Sequence, residues 1–187
     1  MTAQPGRRRD AAATRAALLD AAAALFAERG FDRTTVRDIA GQAEVNQALL
    51  FRYFGSKEAL FEAVVARNGR EHLATTPPER LFSASLRGML APEGPRNRTL
   101  ETYLRSSGSD GVGATLRQEI GEEYARVLAT LTDAPDAGLR ADLALAWLMG
   151  IALVREVTGK EPLASADPEH VSELVLTAVR TLLERSE

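Results

Sequence analysis

Apolar residues along the chain recur with the period of helices, and no stretch alternates as a strand would. Leu18, Ala22, Leu25 and Phe26 mark a first helix from about Asp10 to Arg29. Gly30 follows as a C-terminal cap, and Phe31 is placed to fold back on the last turn. Thr35 and Asp38 have the spacing of a capping box, which starts a second helix near Val36 that buries Val36, Ile39 and Ala40. That helix runs only to Gln42 or Ala43. After Glu44 and Val45, Asn46 is a suitable N-cap for a third short helix from Gln47 to about Phe54. Gly55-Ser56 ends it and caps a fourth, Lys57 to about Leu73, which buries Leu60, Phe61, Val64 and Val65.

Prolines punctuate the remainder. Pro77-Pro78 and Pro92 to Pro95 bracket a helix from about Glu79 to Leu90. Further helices fit at about Arg98–Ser106, Ala114–Leu131, Gly138–Val157 and Glu169–Arg185, separated by Pro135, Gly159, Pro162 and Pro168. The fold class is therefore all-α, with about nine helices. Residues 1–10 read as a flexible arm, 11–56 as a three-helix unit, 57–75 as a connecting helix and 76–187 as a second helical domain.

Two short helices joined by a tight turn make a helix-turn-helix, whose second helix enters the major groove of DNA. In the groove helix, Leu50 and Phe54 face inward onto Ile39 and Val45. Gln47, Ala48, Leu49 and Arg52 remain for the other face, and these side-chain types suit base edges and thymine methyls. Charge agrees in sign. The first 57 residues carry nine basic and six acidic side chains, a net +3, while the rest carries −6 of the overall −3. Arg7, Arg8 and Arg9 enter a minor groove or phosphate track, or else belong to a solubilising tail.

The stretch from about residue 12 to 65 resembles the TetR family of transcriptional regulators. Its fragments are Thr14-Arg15, Ala21-Ala22, Leu25 to Phe31, Thr34 to Ala40, Ala43-Glu44-Val45 and Phe51 to Leu60. The resemblance implies a homodimer on a two-fold-related double-stranded operator, usually repressing until a small effector binds the C-terminal domain. Thr35 and Lys57 would then hold phosphates, Arg37 a base or phosphate, Gln47 to Leu49 bases, and Tyr53 the backbone. The candidate DNA-binding set is Thr35, Val36, Arg37, Asn46, Gln47, Ala48, Leu49, Phe51, Arg52, Tyr53 and Lys57. The chain departs from the family at Glu44, where glycine is common. A left-handed glutamate there costs about 1 kcal/mol. Asn46 replaces the usual serine or threonine cap, and Phe51 stands where tyrosine is typical and has no hydroxyl to offer a phosphate.

The Leu143–Val154 segment is apolar nearly all round and must be covered on more than one side. With the last helix, which carries Val171, Leu174, Val175, Ala178, Val179, Leu182 and Leu183, it is expected to pair with its symmetry mate. An effector cavity would use Leu86, Met89, Tyr103, Leu104, Tyr124, Leu128 and Trp147, a mostly apolar set suited to a hydrophobic or aromatic molecule. Other chemistry is thin. There is no cysteine, His72 and His170 lack ligand spacing, and no nucleophile or acid–base set emerges. Neither enzyme activity nor a cofactor is expected. Leu143–Val154 is too short to span a bilayer, and Arg15 and Asp20 interrupt the only stretch that resembles a signal peptide. The expected compartment is the cytoplasm.

Overall fold

The computed structural model describes residues 5–91 and 112–184. Eight α-helices are present among them: α1 Pro5–Arg29, α2 Val36–Gln42, α3 Gln47–Phe54, α4 Lys57–Thr75, α5 Pro78–Leu90, α6 Val112–Ala129, α7 Ala137–Ala152 and α8 Pro168–Leu183. α7 continues as a π-helical turn, Leu153–Thr158. The helix expected at Arg98–Ser106 lies outside the described residues.

Helices α1 to α3 and the start of α4 form the head. Leu18, Leu25, Phe26, Ile39, Leu50, Leu60, Phe61 and Val64 are buried in one cluster. Phe26, Phe31 and Phe61 close its corner as a ring trio, with centroids 5.0–5.6 Å apart and edge-to-face geometry at Phe61. Gly30 takes a φ of 78° that suits glycine and ends α1 by donating its amide to Phe26 O at 3.0 Å. The chain then turns under Thr34, a fully buried residue whose hydroxyl donates to Gly30 O at 2.8 Å and lies 3.2 Å from Leu25 O.

One boundary moves well beyond its expected place. α1 starts at Pro5 instead of Asp10, so the backbone through Arg7, Arg8 and Arg9 is helical where an arm was expected. Proline is pre-set for a first helical turn, and the alanines at 11–13 continue it at low entropic cost.

The body is built from α5 to α8. Leu81, Phe82, Leu86 and Leu90 of α5 pack with Leu128 of α6, Ala141, Ala144 and Leu148 of α7, and Val171, Val179 and Leu183 of α8. Beyond α7, the Arg155 guanidinium donates to the carbonyls of Leu163 (3.1 Å) and Ala166 (2.8 Å), which ties the α7–α8 connection back to the body.

α4 belongs to both parts. Arg67 pairs with Asp20 of α1, while Arg70 reaches Glu119 (3.3 Å) and Glu123 (3.9 Å) of α6. Between them Gly69 lets α6 come close: a Cβ there would meet Ile120 Cγ2 at 3.1 Å. His72, in the last turn of α4, sits deeper than a surface histidine. Its ring nitrogens lie 3.1 Å from Thr76 Oγ1 and 3.4 Å from Ser85 Oγ, and the ring stacks on Tyr124.

Candidate nucleic-acid interface

The tight turn between α2 and α3 sets the interface. Glu44 is left-handed at φ 55°, the only non-glycine with positive φ among the described residues. This conformation lets the amides of Glu44 and Val45 reach Gly41 O (3.2 Å) and Ala40 O (3.0 Å), so the chain reverses in three residues. Asn46 then caps α3, its Oδ1 accepting from Ala48 N at 2.8 Å.

On α3, Leu50 is fully buried and anchors the helix to the head core, with Leu49, Tyr53 and Phe54 half-buried beside it. Arg15 of α1 covers the Phe54 ring at 4.8 Å. Gln47, Ala48, Phe51 and Arg52 are exposed, and at spacings of one, three, four and five residues they share one side of the helix. The outward set therefore differs from the expected one: Leu49 turns toward the core and Phe51 takes its place. With leucines at 49 and 50, the pattern cannot say which goes deeper until α2 is docked.

Two of the residues expected to hold phosphates, Thr35 and Lys57, make hydrogen bonds within the head. The Thr35 hydroxyl donates to Asp38 Oδ2 at 2.6 Å and accepts from Asp38 N at 3.1 Å, while its backbone N–H donates to Oδ2 at 2.9 Å. Both Thr35 donors serve the capping box. These hydrogen bonds hold the Asp38 carboxyl below the ordinary carboxylate value of 3.8, with a smaller contribution from Arg29 and Arg37. Lys57 also points inward. Its ammonium donates to the carbonyls of Phe31 (2.9 Å) and Thr34 (3.0 Å) and lies 4.0 Å from the centre of the Phe31 ring. It fastens the start of α4 to the loop that delivers α2, a role for a flexible cation that spacing alone does not disclose.

Val36 is half-buried against the head core. Arg37 and Arg52 are exposed and form no ion pair among the described residues. They are thus available to a polyanion. Sequence reasoning missed Arg67 and Gly69, which carry the head–body junction; their partners Asp20 and Ile120 lie 47 and 51 residues away, and no local signal links them.

The described members of the expected effector-lining set occupy different settings in the body. Leu86 and Leu128 are fully buried in the body core. Met89 and Tyr124 pack half-buried against that core. Trp147 is 41% exposed on the outside of α7, and Tyr103 and Leu104 lie outside the described residues. Two open depressions mark the body surface. One of about 510 Å³ lies at the α4–α5 corner beside Thr76, Arg80 and Arg87, and one of about 630 Å³ lies between α6 and α7 beside Ala125, Leu145 and Met149. None of the described residues expected to line an effector cavity borders either.

Taken with its continuation, Ala137–Arg155 matches a membrane span in length and composition alone, a property that apolar packing helices share, so α7 is not a clear span. Ala141, Ala144, Leu148 and Ala152 form its core-facing side. Leu139, Leu143 and Trp147 stand along the opposite side, 60%, 44% and 41% exposed, and Leu174 of α8 is 61% exposed.

Comparison with known proteins agrees with this architecture. Residues 18–64 match the family described as bacterial regulatory proteins, tetR family, and residues 78–183 match the tetracyclin repressor-like C-terminal domain. An HTH-type transcriptional repressor of Mycobacterium tuberculosis, Rv3405c, is 33% identical over 159 residues, covering 79% of each chain. The HTH-type transcriptional repressor KstR2 of Rhodococcus jostii is 49% identical over 51 residues, 27% of this chain and 25% of its own. Among solved structures, a TetR-family transcriptional regulator of Pectobacterium atrosepticum superposes with a TM-score of 0.67 at 23% identity, covering 94% of this chain and 97% of that one. A TetR transcriptional regulator of Rhodococcus sp. RHA1 gives 0.68 at 18% identity, over 94% and 97%. The helix-turn-helix head, the helical body and these matches together make the chain a member of the TetR family of DNA-binding transcriptional regulators.

Proposed function

We propose that the chain acts as a homodimeric repressor that two copies lay across one operator, and that a small, largely hydrophobic effector releases it. The observation that carries the dimer is the apolar stripe Leu139, Leu143 and Trp147 on α7, together with the exposed Leu174 on α8. A side this apolar is unfavourable in water, and a second copy of α7 and α8 covers it in an isologous four-helix contact. Two heads held this way present their α3 helices to successive major grooves, about 34–36 Å apart or a multiple of that.

On each half-site Gln47, Ala48, Phe51 and Arg52 meet base edges. Arg37 and Tyr53 meet the backbone and fix the register. Thr35 and Lys57 act one step back, by holding the start of α2 and the loop before it. The effector acts on the body, and α4 is the element that carries its influence, because Arg67 grips the head while Gly69 and Arg70 grip α6. The shift in operator affinity is limited by the effector's preference for one arrangement over the other.

A gel shift with the promoter region around its own coding sequence tests this reading. A salt-sensitive, competitor-resistant shift by two chains per duplex is expected, reversed by an apolar effector drawn from a panel. A shift that ordinary competitor DNA abolishes, or one produced by a single chain, contradicts it. A rival reading as a helical adaptor, whose head binds protein instead of DNA, predicts no specific shift.

A further inference from the structure

Phe51 is 51% exposed. The other large apolar side chains exposed among the described residues all lie in the body: Leu139, Leu143, Trp147 and Leu174 on the face assigned above to the second copy, and Met149 beside the α6–α7 depression. Phe51 alone stands on the head. It belongs to neither buried cluster and stacks with no aromatic or cationic neighbour among the described residues. A single exposed apolar residue is ordinary on a protein surface. Its placement is what carries information. It lies four residues after Gln47, three after Ala48 and one before Arg52, within the outward stripe of the groove helix.

A benzyl side chain neither donates nor accepts a hydrogen bond, so it gains nothing from a phosphate or from the polar edges of guanine, adenine or cytosine. The one apolar group that a base pair displays in the major groove is the C5 methyl of thymine. We infer that Phe51 is a specificity-determining residue that reads a thymine C5 methyl, with the Ala48 methyl on the same side of the contact, so that each half-site carries a thymine opposite this part of α3. The inference rests on the DNA-binding reading above and goes further by naming the chemical group read.

The test uses the full chain and a duplex that the chain itself enriches from a randomised pool. Each thymine of the enriched duplex is replaced by deoxyuridine in both half-sites, one position at a time. Uracil keeps every hydrogen-bonding atom of thymine and removes only the methyl. For wild-type protein, one position should stand out, with affinity falling about 4-fold per half-site and about 15-fold for the pair, the scale of one desolvated methyl group. Phe51→Ala, a substitution on the solvent side of α3, should bind the thymine and uracil duplexes alike. Wild-type protein indifferent to every uracil replacement overturns the inference, as does Phe51→Ala retaining the full discrimination. Phe51→Tyr keeps the ring and separates a backbone role: a uniform gain on all duplexes, with no uracil effect in the wild type, places residue 51 against phosphate. Failure to enrich any duplex has a different signature and removes the DNA-binding reading itself.

Discussion

Replacing Lys57 by methionine keeps most of the aliphatic stem and removes the ammonium. In the folded head that ammonium donates to Phe31 O and Thr34 O and rests on the Phe31 ring. Hydrogen bonds from a charged donor contribute roughly 1.5–3 kcal/mol each, and a partly exposed cation–π contact about 0.5–1 kcal/mol. Phe31 O keeps the amide of Thr34 at 3.2 Å, so its loss is partial. A net destabilisation of about 2–3 kcal/mol follows, since Lys57 is only half-buried and water recovers some of the bonds. Urea unfolding of wild type and Lys57→Met, followed by helix signal, measures it directly. Operator affinity should fall as well, because the loosened 30–35 loop no longer sets the start of α2. The slope of log affinity against log salt should hardly change, since an ammonium turned inward releases no phosphate counterion. Wild-type stability together with a slope reduced by about 1 would refute this assignment and return Lys57 to the DNA backbone.

Other perturbations test separate parts of the account. Glu44→Gly relieves the left-handed glutamate and should stabilise the head by about 0.5–1 kcal/mol, read as a raised urea midpoint with an unchanged m-value. A lower midpoint would show that the turn needs its side chain. Asp38 is held below the ordinary carboxylate range by Thr35, so the capping box adds stability above that range and loses it as pH falls through the depressed value. Asp38→Asn should therefore flatten the acid limb of the stability profile, and an unchanged limb would contradict the box. Leu143→Glu puts charge into the free stripe of α7 without touching the body core. It should yield folded monomers in sedimentation with operator affinity lowered at least about 100-fold, and dimers of wild-type strength would disprove the proposed contact.

The legible parts of this protein were those decided within a few residues. The Thr35–Asp38 box, the Asn46 cap and the terminating Gly30 each need only a neighbour along the chain, and all three stand where the pattern places them, whereas the left-handed Glu44 is indicated only by the family resemblance. Contacts that join distant segments were not legible. Lys57 is 26 residues from Phe31, and nothing in a lysine at a helix start says whether its ammonium turns toward DNA or toward a carbonyl. The same limit governs Leu49 against Phe51, where only the docking of α3 on α2 decides which side chain is left outside. A helix apolar on several faces announces that it must be covered, yet the side its own chain covers depends on the packing of α5, α6 and α8. Trp147 accordingly belongs to the exposed stripe and not to an interior cavity.

Binding geometry on DNA tests the central claim most directly. On the duplex enriched by the full chain, methylation interference at guanine N7 maps the major-groove contacts, and hydroxyl-radical footprinting maps the backbone. The account predicts two symmetric half-sites on one face of the duplex, their major-groove centres about 34–36 Å apart or a multiple of that, with two chains per duplex. A single protected half-site under one chain, or contacts confined to the minor groove, would contradict it.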